Sequence, residues 1–69
     1  MKKNEFATYF SNFLEKNNYK LDYVAQEMDS AKSTMSHYKN GERIPQDDFV
    51  ERFIKVFRFS EEEGNFIRN

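Results

Sequence analysis

The sequence of 69 residues has no cysteine and no tryptophan, one proline and two glycines. Without cysteine, disulfide staples and thiolate metal sites are excluded. No apolar run approaches the roughly 20 residues needed to span a bilayer. The amino-terminal MKKNEFATYF lacks the apolar h-region of a secretory signal. The scarcity of glycine and proline leaves few break points, and no low-complexity segment occurs. What the chain does have is aromatic rings, eight Phe and four Tyr. Each ring removes about 150–250 Å² from water when buried, which is what a chain sized for one small domain needs. That many rings also argue against disorder, although 33% of residues are charged.

The net charge of −1 speaks weakly against a nucleic-acid partner, but its distribution is uneven. Between Ser30 and Pro45, Lys32, Lys39 and Arg43 face only Glu42, a balance of +2 that leaves −3 on the rest. Acids gather at Asp47, Asp48 and Glu51 and again at Glu61–Glu63. A positive element on an acidic body orients a molecule towards an anionic partner.

Apolar periodicity predicts five helices. Helix 1 is predicted from Glu5 to Lys16 on the stripe Phe6, Tyr9, Phe10, Phe13, Leu14, with Asn4 as N-cap and a left-handed Asn17–Asn18 stop. The Met1–Lys3 arm is expected to fray. Helix 2 is predicted over Leu21–Met28, turning Val24, Ala25 and Met28 inward, and Asp29–Ser30 breaks it. Helix 3, about Ala31 to Lys39, has a thin inward face of Ala31, Met35 and Tyr38 and a polar remainder, so its neighbours must hold it. Asn40–Gly41 stops it and Pro45 opens a new start. Helix 4 is predicted over Gln46–Phe57, with Phe49, Val50, Phe53, Ile54 and Phe57 inward. Helix 5 runs from Glu61 towards Ile67, with Ser60 and Glu63 forming a capping box and Gly64 weakening it by up to about 1 kcal/mol. Phe66–Ile67 then either pack on the core, meet a second subunit, or lead into a longer natural chain.

A short helix that shows small polar and basic side chains on its outer face is suited to entering a groove of a duplex. Chemistry of other kinds has little support. His37 has no acid partner in a recognisable catalytic motif, and neither a nucleophile elbow nor a phosphate-binding loop is present. Glu61–Glu63 lack the spacing of a calcium loop. The expectation is therefore a non-enzyme with no metal and no cofactor.

Several segments together resemble the phage-repressor/Cro-like (XRE-type) helix-turn-helix DNA-binding domains. Val24-Ala25 resembles the Leu-Ala pair of that motif, and Thr34-Met35-Ser36 its Thr-Ile-Ser. Asn40-Gly41-Glu42-Arg43-Ile44-Pro45 is similar to the Asn-Gly-Lys-Arg-x-Pro after the recognition helix, and Val50, Phe53-Ile54 and Phe57 fall on the apolar positions of the fourth helix. The chain departs from the family at Asp29, where Gly is frequent, and at Ser30, where an aliphatic residue usually follows. Ala31 replaces the usual Ser or Thr cap, which leaves the cap to Asp29 or Ser30. Leu21 stands where a phosphate-binding Gln is common. The resemblance implies an all-α, compact five-helix bundle over residues 1–69, with its motif at about 20–40, either complete or the amino-terminal domain of a longer protein. It also implies a regulator of transcription, of the phage or mobile-element repressor type. Such a protein binds a double-stranded DNA operator as a homodimer in the cytoplasm of a bacterial cell or a phage-infected host. Carried over by position, Lys32, Ser33, Thr34 and His37 are the base-reading candidates, and Lys20, Lys39, Asn40 and Arg43 the phosphate-binding ones. Phe59, Phe66 and Ile67 are candidates for a dimer seam. The rival expectation is the same fold used as a protein-interaction module, with Tyr23 and Tyr38 as anchors.

Overall fold

A computed structural model describes all 69 residues. The chain forms five α-helices and no strand: α1 Phe6–Asn17, α2 Leu21–Glu27, α3 Lys32–Lys39, α4 Asp47–Val56 and α5 Glu61–Arg68. A single 3₁₀ turn, Lys3–Glu5, leads into α1. None of these helices is long and apolar enough to cross a membrane.

The first four helices end in the same way. Asn18, Asp29, Gly41 and Arg58 all take left-handed backbone angles, with φ of 55°, 51°, 76° and 53°. At each, the following N–H bonds back to the carbonyl five residues earlier: Tyr19 to Leu14, Ser30 to Ala25, Glu42 to His37 and Phe59 to Ile54. These are Schellman closures, and they satisfy carbonyls that a helix end would otherwise leave open. The repeated closure folds most of the twelve aromatic residues back towards one centre and leaves Tyr23 and Phe66 exposed. Phe6, Phe10, Phe53, Met28, Met35 and Val24 are fully buried there with Pro45. The Phe53 ring is the hub, 5.1 to 5.8 Å from the rings of Phe6, Phe10, Phe13, Phe57 and Phe59. Most of these pairs are edge-on or tilted, as ring quadrupoles prefer.

Several expectations are corrected at the helix ends. Asn4 is not the N-cap; it lies inside the 3₁₀ turn, where the Lys2 N–H donates to the Glu5 carboxylate at 3.0 Å. Nor is the arm frayed, since the Met1 ammonium donates to the Phe66 carbonyl at 2.6 Å and Lys3 pairs with Asp47 at 2.8 Å. Ser60 does cap α5, accepting from the Glu63 N–H at 3.2 Å. The Glu63 carboxylate, however, accepts the Tyr9 hydroxyl at 3.1 Å instead of reaching back. Burial and that bond to a carboxylate push the Tyr9 phenol up to about 12.

Gly64 proves to be a packing position. A Cβ there would stand 3.2 Å from Ile54 Cγ2, so the glycine lets α5 lie close on α4. Arg68 then reaches across to Glu51 with two bonds, 2.6 and 3.0 Å, which hold the Glu51 carboxyl below its usual range.

Candidate nucleic-acid interface

The polar surface of α3 is set by what holds α3 down. Met35 is fully buried and Tyr38 nearly so, its ring 4.6 Å from that of Phe49. Ala31, assigned to the inward face from sequence, is instead the exposed N-cap and makes no side-chain bond. Neither Asp29 nor Ser30 caps the helix in its place. The Ser30 hydroxyl turns back and donates to the Met28 carbonyl at 3.2 Å.

That same carbonyl receives the Arg52 guanidinium from α4. The turn between α2 and α3 is thus fixed by the left-handed Asp29, the Ser30 hydroxyl and a side chain from below. Arg52 is a positioning residue that sequence periodicity did not mark, because it looks like a cation placed at the end of α4 for the helix dipole. Further along, the Ser11 hydroxyl of α1 donates to the Lys39 carbonyl at 3.4 Å, tying down the other end of α3. Gly41 is needed there for its positive φ and not for space, since an added Cβ would meet Ala7 Cβ at an ordinary 3.6 Å.

The base-reading candidates divide into two kinds. Lys32 and Ser33 stand exposed in the first turn of α3, while Thr34 and His37 are half-buried on its flanks. Lys32 Nζ lies 2.8 Å from Asp22 Oδ1, with about two-thirds of both side chains in solvent (65% and 68%). His37 Nδ1 lies 3.1 Å from Glu42 Oε1. Lys32 and His37 therefore each face an acid. The Lys32–Asp22 pair also places the first turn of α2 against the first turn of α3, which brings Lys20, the N-cap of α2, into the same neighbourhood.

The phosphate candidates are placed differently. Lys20, Lys39, Asn40 and Arg43 are all exposed, and none of the three cations takes part in an ion pair. Asn40 Nδ2 lies 3.4 Å from the Ser36 hydroxyl, within its own helix. Arg43 lines a surface hollow of about 430 Å³ with Ser30, Thr34 and Arg52, so the turn, the middle of α3 and the following loop meet there. Lys20, at the start of α2, is brought near the amino end of α3 by the Asp22–Lys32 pair, and Lys39–Asn40 stand at its carboxyl end.

Of the three seam candidates, Ile67 is 2% exposed and belongs to the core. Phe59 is half-buried, tilted 5.2 Å from Phe53. Phe66 alone is open, at 54%. The chain matches no protein-family model, no curated protein and no solved structure.

Proposed function

We propose that this chain is a sequence-specific double-stranded DNA-binding protein that regulates transcription, acting as a repressor of the helix-turn-helix kind that its sequence resembles. The observation that carries the reading is the make-up of α3. Its inward face is spent on Met35 and Tyr38, and its first turn presents Lys32 and Ser33 beside free cations at both ends. Lys32 donates to guanine O6 and N7, and Ser33 adapts to a neighbouring base edge. Lys20, Lys39, Asn40 and Arg43 hold phosphates and fix the register. Uncapped by any side chain, the amino end of α3 keeps backbone donors available to an anion. The operator is two-fold and is read by two copies, within a bacterial or phage-infected cytoplasm. No catalytic step, metal or cofactor enters this reading.

One observation favours a second reading, in which the same fold serves as a protein-interaction module. The acids Asp22 and Glu42 occupy Lys32 and His37, and the whole chain is net negative. Tyr38, the other anchor expected from sequence, is buried against Phe49, so an exposed Tyr23 beside Tyr19, rings 5.0 Å apart, would anchor the partner. A salt titration of binding separates the two. DNA binding weakens steeply with salt in proportion to the phosphates neutralised, whereas an apolar protein interface barely responds.

A further inference from the structure

On the flank of α1 turned away from α3 lies a groove of about 550 Å³. Its walls are six aromatic side chains, Tyr9, Phe13, Tyr19, Phe57, Phe59 and Phe66. The volume and the apolar lining are those of a small-molecule site. Helix geometry sets the orientation: Tyr9, Phe13 and Lys16 share one side of α1, whereas Ala7 and Ser11, which meet the Gly41 turn and the Lys39 carbonyl, lie about 200° around it.

The charge of the groove is one-sided. Lys16 and Arg58 line it, and no acid does. Neither cation is in an ion pair, although Lys3, Lys32 and Arg68 all are. Both belong to the end of the groove where α1 and α4 finish. At the other end, about 10 Å along α1, the Tyr9 hydroxyl is already committed to Glu63.

Arg58 is the left-handed residue that closes α4, with φ of 53°, so the turn itself carries its side chain to the groove that it lines.

We propose that this groove binds an aromatic carboxylate. The ring system inserts between Phe13, Phe59 and Phe66, and the carboxylate faces Lys16 and Arg58. The site is separate from the surface of α3 and does not depend on the DNA reading.

The test is an amide-shift titration of the intact ¹⁵N-labelled chain at low salt with three probes of one shape: 2-naphthoate, neutral 2-naphthylmethanol and cationic 2-naphthylmethylammonium. Naphthoate is expected to move the amides of residues 12–19 and 57–59 and to bind about fivefold more tightly than the alcohol. Lys16→Gln and Arg58→Gly should each remove most of that advantage, read as the ratio of naphthoate to alcohol binding within the same variant. Arg58→Gly should at the same time melt higher than the wild type, because it relieves the left-handed backbone, so loss of binding cannot be read as loss of fold. Equal binding of the three probes, or shifts centred on α3, would overturn the proposal. So would concentration-dependent shifts of the same amides without any probe, which would mean that a second copy fills the groove.

Discussion

Replacing Asp22 by Asn isolates the feature that sets the DNA reading against its rival. The carboxylate lies 2.8 Å from Lys32 Nζ, and both side chains are about two-thirds in solvent. Exposed pairs of this kind contribute about 0.2–1 kcal/mol. Loss of the acid from the first turn of α2 removes a further 0.3–1 kcal/mol or so of favourable dipole interaction. The fold should therefore weaken by roughly 0.5–2 kcal/mol. On DNA the sign reverses. Lys32 no longer has to break a pair before it meets a base, and a negative charge leaves the surface that approaches the phosphates. Releasing Lys32 at that same ~0.2–1 kcal/mol should raise affinity by up to about fivefold at low salt. Fluorescence anisotropy on a labelled duplex, repeated over a range of salt, reads this directly, with thermal melting as the companion measurement. Unchanged affinity in a variant that melts lower would refute the reasoning. Asp22 and Lys32 would then be a structural pair, and Lys32 would not belong to the reading face.

Other consequences follow from the same geometry. Lys32→Ala should lower discrimination between operator and random DNA by roughly 1–3 kcal/mol, checked by competition binding; an unchanged ratio removes Lys32 from the bases. Phe53→Ala should cost about 3–5 kcal/mol, since its buried ring is the hub of five others. For a domain of this size that means a melting point lower by about 12–40 °C, and wild-type-like melting would contradict the helix 4 face. The Tyr9 phenol, raised from 10 to about 12, binds its proton more tightly in the folded state. Its contribution to stability is complete below pH 10 and is lost as pH rises towards 12. Denaturation midpoints of the wild type should accordingly fall faster over that window than those of Tyr9→Phe, and parallel curves would count against the burial of the phenol and its bond to Glu63.

Sequence periodicity located α1 and α4 by their dense aromatic and aliphatic stripes, whereas α2, α3 and α5 were bounded by break and cap residues, Asp29–Ser30, Asn40–Gly41 and Ser60. Phe49, Val50, Phe53 and Ile54 are all buried as their spacing predicts. Local chemistry also placed three of the left-handed closures, since Asn18, Asp29 and Gly41 are residue types that tolerate positive φ. The fourth, at Arg58, was hidden because nothing about arginine signals that conformation. What the pattern could not show were the long-range contacts of side chains that look solvated. Arg52 reads as a cation for the helix dipole and turns out to grip the Met28 carbonyl. Glu63 reads as half of a capping box and goes to Tyr9, more than fifty residues away in sequence. Gly64 reads as a weak point, and only the closeness of Ile54 shows that a larger residue would have to push that side chain aside by a few tenths of an ångström. In the candidate interface, the residues of α3 were legible from their polarity. The acids beside Lys32 and His37 were not, because Asp22 lies on another helix and Glu42 comes alongside His37 only once Gly41 reverses the chain.

The most direct test of DNA reading is selection of the folded protein on a random duplex library at low salt, repeated at physiological salt. The account predicts enrichment of an inverted repeat whose half-sites lie one helical turn, about 34–36 Å, apart or a multiple of it. A well-folded sample that enriches no sequence at either salt would contradict it and move the weight to a protein partner.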